Sequence, residues 1–105
     1  MLEYVLFFGR GIAGRSPLTD QEWTGFTAQV VTPHLPDGFT SIDAEGQWMN
    51  PTTHRIIKER TKVIVVALPD TVAGASAIAA IKDAYRMQFH QQSVGTTVHQ
   101  ACGAF

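Results

Sequence analysis

The segment from Arg55 to Leu68 is the sequence feature that most restricts the possible folds. It is the longest strand-like stretch in the chain, with two isoleucines near its start and the β-branched run Val63 to Val66 near its end. Successive side chains of a strand point to opposite faces of the sheet, so a strand with adjacent apolar residues must be covered on both faces. We therefore expect this strand in the middle of a sheet.

Alternation divides this strand into two faces that are both apolar. One face is formed by Ile64, Val66 and Leu68, and the other by Thr61, Val63, Val65 and Ala67. A first strand over Tyr4 to Phe8 shows the same pattern. Helices can cover only one of these faces, and a domain of 105 residues has little other material to cover the second. We therefore expect a homo-oligomer, a dimer or trimer, assembled through the open sheet face.

Two helices are indicated between the strands. The first begins with a capping box, Thr19 with Glu22, and its apolar residues recur at helical spacing until Pro33. The second follows cap candidates at Pro69 to Thr71. Its apolar positions are Ala77, Ile78, Ile81, Tyr85 and Phe89.

The strands and helices together predict one α+β domain over residues 1–105. Besides the two strands above, Phe39 to Asp43 forms a strand that Trp48 continues beyond an irregularity near Gly46, and Ser93 to Phe105 forms the last. The resulting order predicts a ferredoxin-like βαββαβ fold, with a four-stranded antiparallel sheet and two helices on one face.

Composition excludes several classes of function. The net charge is −1, and the densest group of cations, Arg55 to Lys62, is too small for a phosphate-binding surface, so no nucleic-acid partner is expected. No apolar run is long enough for a membrane span. One cysteine and no signal peptide favour the cytoplasm, and an envelope location would require an export signal that has been removed.

The segment Gly9 to Gly14 spells G-x-G-x-x-G after a predicted strand, the pattern of a dinucleotide-binding turn. In that motif the glycines lead directly into a helix, whereas here Arg15 to Leu18 intervene before the cap at Thr19. The pattern therefore predicts a glycine loop, in which Arg10 and Arg15 can still meet an anion. The four histidines lack zinc-ligand spacing, and Cys102 is interpreted as a structural thiol, so neither a metal nor a cofactor is expected.

The candidate site is a group of polar residues at one end of the sheet. If the second and third strands form a hairpin, Gln47 and Trp48 approach the segment from Lys58 to Lys62. Glu59 then lies on the face expected to be covered by a partner subunit, where desolvation and nearby cations tune a carboxylate as a general base. Glu59 and Tyr85 are the catalytic candidates. The ligand-binding candidates, for a small anionic molecule, are Arg10, Gln47, Trp48, Arg60 and Lys62. The alternative interpretation is an interfacial salt bridge or cross-strand charge pairing.

Several segments resemble a family of small bacterial proteins known only as a domain of unknown function. They are Leu6 to Arg10, the Trp23 to Phe26 helix, Val31 to Thr40, Asp43 with Gly46 to Trp48, Glu59 to Val63, and Tyr85 with Phe89 and Gln92 to Val94. The resemblance implies the domain limits and supports the matching Gln47, Trp48, Glu59 and Arg60 as candidates without assigning roles. Many members carry an export or lipoprotein signal before the first strand, and this sequence does not.

Two functions remain open from the sequence. One is a domain that binds a small molecule or a partner at a subunit interface. The other is a cofactor-independent enzyme of isomerase or lyase type, with Glu59 as the base and Arg60 or Arg10 holding an anionic group.

Overall fold

The computed structural model describes residues 1–105, and its elements follow the predicted order. The strands are β1 (Leu2–Gly9), β2 (Thr40–Met49), β3 (Ile56–Leu68) and β4 (Gly95–Gln100). The helices are α1 (Asp20–Phe26), continued by a π-helical segment (Thr27–Val31) and α2 (Thr32–His34), and α3 (Val72–Gln88). The sheet order is β2-β3-β1-β4, and every neighbouring pair is antiparallel. The chain therefore has the predicted ferredoxin-like α+β fold.

The core lies between one face of the sheet and the helices, and we call this the covered face. It comprises Tyr4, Leu6 and Phe8 of β1 with Ile64 and Val66 of β3, all of which are buried. The helical segments contribute Trp23, Phe26, Val31, Ile78, Ile81 and Tyr85, and the connecting segments add Ile12, Leu18, Leu35, Phe89 and Val94. Both helices pack on this one face, as the sequence predicts.

The first helix begins as predicted but continues past its expected end. The Thr19 hydroxyl accepts a hydrogen bond from the Glu22 N–H, and the Glu22 carboxylate accepts one from the Thr19 N–H, which completes the capping box. The sequence predicts that the helix ends at Pro33, because proline has no N–H to donate. Instead, the π-helical segment changes the hydrogen-bond register just before Pro33, and helical structure extends to His34.

Two strands differ from their predicted form. The irregularity expected near Gly46 is absent, because β2 pairs with β3 in unbroken register from Thr40 to Met49. The last strand ends at Gln100 rather than Phe105. Gln100 pairs with Leu2, the first residue of β1, and Ala101 still exchanges backbone hydrogen bonds with Met1, but β1 offers no further residue to pair with the segment after Ala101.

The opposite side of the sheet, which we call the open face, has no helix on it. The register places Val5, Phe7, Ile42, Val63, Val65, Trp48, Ile57 and Glu59 on this side. Phe7, Ile42 and Trp48 have exposed fractions of 43%, 45% and 51%. A single chain thus presents a large apolar surface to water. None of the helices combines the length and apolar character that crossing a membrane requires.

Candidate functional site

Glu59 lies on the open face, where the alternation along β3 predicts it. Its carboxylate oxygen Oε1 accepts a hydrogen bond from the backbone N–H of Gly11, at 3.2 Å. Gly46 stands directly opposite Glu59 on β2 and has no side chain to cover it. Glu59 is half-buried as a residue, and its carboxylate is held to the loop after β1.

The glycines of the G-x-G-x-x-G segment make room for this carboxylate. A Cβ atom on Gly9 would lie 2.7 Å from Glu59 Oε1, and one on Gly11 would lie 3.2 Å from the same oxygen. The prediction of a loop is confirmed, because β1 ends at Gly9 and α1 begins only at Asp20. Because these two glycines have no side chains, the Glu59 carboxylate can come close to the backbone.

Gln91 borders the same space and was not identified from the sequence. Its amide nitrogen Nε2 donates to the Gly11 carbonyl at 2.7 Å and to the Phe89 carbonyl at 3.2 Å. Its amide oxygen Oε1 lies 3.8 Å from where a Gly9 Cβ would stand, beside the Glu59 carboxylate. Gln91 follows the end of α3, and only the tertiary topology brings that end next to β1. We refer to Glu59, Gln91, Gly9, Gly11 and Gly46 as the Glu59 site.

Tyr85 reaches the same loop from the covered face. Its ring is fully buried, with ring centroids 4.9 Å from Phe8 and 5.2 Å from Phe26. Its hydroxyl donates a hydrogen bond to the Gly9 carbonyl at 2.6 Å. Tyr85 is a protonated donor at neutral pH, and desolvation raises its pKa further, to about 12. Tyr85 and Glu59 thus hold opposite sides of one loop.

Arg10 and Lys62 lie on the covered face and are almost completely buried, with 5% and 6% exposed. Arg10 donates to the Leu18 carbonyl through Nε at 2.9 Å and Nη2 at 2.6 Å, and it pairs with Asp20 at 3.2 Å. Lys62 pairs with Asp20 at 3.1 Å and with Asp43. The hydrogen bond from Lys62, and then the charges of Lys62 and Arg10, hold the pKa of Asp20 below its ordinary value. This network ties α1 to β2 and β3 without reaching the open face.

The remaining ligand-binding candidates are divided between the two faces. Trp48 pairs with Ile57 on the open face, diagonally adjacent to Glu59. Gln47 pairs with Lys58 and Arg60 with Glu45, and these positions alternate to the other side of the hairpin. Both Gln47 and Arg60 are exposed. The structure thus brings Glu59 and Trp48 together on one surface and places Gln47 and Arg60 on the other.

The molecule also has a cavity that is distant from these residues. Its volume is about 740 Å³, and it lies at the opposite end of β3. Its apolar lining includes Leu35, Phe39, Val65, Leu68 and Ala77, and none of the candidate residues contributes to it. No group of three or more His, Cys, Asp or Glu side chains is close enough to hold a metal ion.

Comparison of the whole chain with protein families identifies its relatives. The family model DUF3574, described as a protein of unknown function, matches residues 3–105. The chain belongs to the DUF3574 family. The resemblance noted in the sequence is therefore confirmed for this DUF3574 member over nearly its whole length. A comparison with curated protein sequences finds no match.

Two solved structures share the fold of this DUF3574 member. A phage SAM lyase in complex with S-methyl-5'-thioadenosine superposes with a TM-score of 0.70 and 13% sequence identity, covering 94% of this chain and 80% of that chain. A phage SAM lyase in the apo state gives a TM-score of 0.65 and 13% identity, covering 93% of this chain and 78% of that chain. At this identity the similarity establishes the fold.

Proposed function

We propose that this protein binds a small molecule on the open face of its sheet, at the Glu59 site, in a pocket completed by a second copy of the chain. The observation that carries the proposal is the Glu59 carboxylate, which accepts the Gly11 N–H and shares its side of the sheet with the apolar residues Ile57, Trp48 and Val63. Gly9 and Gly11 lie against the carboxylate and Gly46 stands opposite Glu59 on β2, so backbone rather than side chains forms the floor of the site. Such an arrangement of one polar group within an apolar surface is typical of ligand pockets.

The second copy is proposed because the open face is too apolar for a stable monomer surface. Phe7, Val63 and Ile42 form a continuous row across three strands, and Trp48 extends the apolar surface along the hairpin. Large exposed apolar patches in small proteins usually mark interaction surfaces. Packing two or three such faces together would cover the row and place walls around Glu59. The proposed assembly is a homodimer or homotrimer.

A second candidate function is a cofactor-independent lyase or isomerase that uses the same site. It is favoured by the shared fold with the phage SAM lyase, whose complex contains the small molecule S-methyl-5'-thioadenosine. In this proposal Glu59 acts as a general base, removing a proton from a substrate carbon or a bound water. Tyr85 is a positioning residue, because its hydroxyl fixes the Gly9 carbonyl and thus the loop that holds Glu59. Trp48 provides an apolar wall for the substrate.

The test is the variant Glu59→Gln, compared with Glu45→Gln. Glu45 is close to Glu59 on the same hairpin but projects from the other face. We expect Glu59→Gln to abolish ligand-induced stabilisation, and any conversion of S-adenosylmethionine, while its melting temperature and oligomeric state match those of the wild type. Glu45→Gln should leave all four properties unchanged. The measurements are thermal unfolding with a metabolite library, chromatography of S-adenosylmethionine reactions, and sedimentation.

Two results would contradict the proposal. If Glu59→Gln kept its ligands, the site would lie elsewhere on the molecule. If it instead dissociated the oligomer, Glu59 would be part of the subunit contact rather than of a ligand pocket. Ligand binding without conversion of any compound would retain the binding function and reject the enzyme.

A further inference from the structure

The charges of β3 are segregated between the two faces of the sheet. Lys58, Arg60 and Lys62 occupy alternate positions, and all three lie on the side opposite to Glu59. The other open-face positions of β2 and β3 carry no ionisable group, since they are Thr40, Ile42, Ala44, Gly46, Trp48, Ile57, Thr61, Val63, Val65 and Ala67. Glu59 is therefore a lone anion at its end of the open face.

The buried cations of the chain cannot neutralise Glu59. Arg10 and Lys62 are on the covered face and share the carboxylate of Asp20. A second copy packed face to face would bring the same set of strand residues, among which Glu3 and His99 are the only other ionisable ones on the open face. Closing the pocket would thus cover the Glu59 carboxylate with no cation from the strands of either sheet beside it, and burying a charge without a counter-charge is strongly unfavourable.

Glu59 and Gln91 can each accept further hydrogen bonds, but neither side chain has a free donor. Both donor contacts of the Gln91 amide nitrogen are made to backbone carbonyls, which leaves its Oε1 without a partner beside Glu59. The Gly11 N–H is already used by Glu59 Oε1. A carboxylate offers about four lone-pair positions, so Glu59 retains most of its accepting capacity. An anionic ligand placed between these two side chains would meet only oxygens.

The aromatic side chain next to the site suits a positive charge as well. Trp48 is exposed on the same face, diagonally across the hairpin from Glu59. The face of an indole ring attracts cations, and most strongly where water is excluded. A carboxylate, an amide oxygen and an indole form a set of groups that recognises an organic cation.

We propose that the ligand of the Glu59 site is a small organic cation that places an ammonium or sulfonium group between Glu59, Gln91 and Trp48. The inference rests on the proposed function and specifies the chemistry of the ligand. It replaces the small anion that the arginines suggested from the sequence, because those arginines lie on the other side of the sheet. The positive group neutralises the Glu59 carboxylate within the pocket that the second copy completes.

Pairs of compounds that differ mainly in one positive charge test whether the site selects a cationic ligand. We would titrate the wild-type oligomer with S-adenosylmethionine and S-adenosylhomocysteine, which differ by one methyl group and the sulfonium charge. Choline and its neutral isostere 3,3-dimethylbutanol form a second pair, and inorganic phosphate is the anionic probe. A wider library of ammonium compounds, neutral isosteres and carboxylates would be screened by thermal shift. We expect cations to bind about tenfold or more tightly than their neutral partners.

Variants show which side chains cause the preference for a cationic ligand. Glu59→Gln should reduce the preference for the cation to about twofold or less, whereas Glu45→Gln should retain it. Trp48→Leu should weaken cation binding, but cations should still bind more tightly than their neutral partners. A library whose hits were anions or neutral compounds, with binding still lost in Glu59→Gln, would overturn the cation proposal and leave the proposed function intact. If no compound of any charge bound the assembled wild type, both would be rejected.

Discussion

Tyr85 both fills the core and holds the loop after β1. Its ring packs among Phe8, Trp23, Phe26 and Phe89, with centroid distances from 4.9 to 6.2 Å. Its hydroxyl contacts the Gly9 carbonyl, at the edge of the Glu59 site. The helical spacing of the apolar residues in α3 predicted that the Tyr85 ring is buried. It could not predict the hydroxyl contact, because Gly9 and Tyr85 are 76 positions apart.

Replacing Tyr85 with phenylalanine should destabilise the protein by about 1–3 kcal/mol at neutral pH, because the Gly9 carbonyl loses its donor in a partly buried environment. The pKa of Tyr85 is raised from 10 to about 12 in the folded state, so the protonated form favours folding. This contribution is complete below pH 10 and is lost as the pH rises from 10 to about 12. Wild-type stability should therefore fall more steeply than that of the variant over this interval.

Urea unfolding at pH 7 and in steps from pH 9 to 12 provides the measurement. Tyr4→Phe is the matched control, because Tyr4 is also buried in the core but its hydroxyl makes no hydrogen bond within the protein. Equal losses of stability in the two variants at pH 7 would show that the contact with Gly9 contributes nothing. Such a result would also remove Tyr85 from the positioning of Glu59.

The surroundings of the loop after β1 show why only some residues of the Glu59 site could be predicted from the sequence. Alternation alone is sufficient to assign the faces of β3, and it places Glu59 on the correct side of the sheet. The same alternation places Lys58, Arg60 and Lys62 on the opposite side, although sequence proximity grouped them with Glu59. Gln91 joins the site through the return of α3 to the end of β1, which no local pattern indicates.

Gly9→Ala should disturb the Glu59 site without weakening the fold. Gly9 does not adopt a positive φ, so alanine fits its strand backbone, but the new Cβ would stand 2.7 Å from Glu59 Oε1. The flexible carboxylate has to move away and release the Gly11 N–H. We expect an unchanged or slightly higher free energy of unfolding, within about 1 kcal/mol, together with loss of ligand binding.

The Gly11 amide signal in a nitrogen–proton correlation spectrum reports this change without any ligand. It should shift upfield in Gly9→Ala, because the hydrogen bond to the carboxylate is lost. Gly25→Ala is the control, since a Cβ there has no neighbour within 4 Å. An unaltered Gly11 signal in Gly9→Ala would mean that the carboxylate is not held where the structure places it.

At the scale of the whole molecule, the unequal lengths of the strands shape the exposed surface. The pairing of β1 with β3 ends at Gly9 opposite Thr61, whereas β2 and β3 continue together to Met49 and Ile56. The end of the hairpin therefore projects as a two-stranded arm, and Met49, Ile56 and Trp48 are exposed on it. The sequence predicted two apolar faces on β3 but not the length of this unsupported arm, since that depends on where β1 stops.

The proposed assembly through the open face is tested by a charge placed at its centre. Ile42 lies on the edge strand β2, opposite Val63 in the row that also contains Phe7. Ile42→Asp should leave the folded chain intact, because 45% of the side chain is already exposed, and should dissociate the oligomer by burying an unpaired carboxylate at every contact. Val98→Asp is the matched control, since Val98 is 52% exposed but pairs with Tyr4 on the other face.

Sedimentation velocity over a wide range of protein concentration, with circular dichroism as a check on folding, distinguishes the outcomes. We expect a dimer or trimer for the wild type and Val98→Asp, and a monomer for Ile42→Asp. A wild type that remained monomeric at the highest concentration would refute assembly through the open face. The Glu59 site would then face water, and its carboxylate would need no cation to compensate for burial. The sedimentation result therefore also tests the premise from which we infer a cationic ligand.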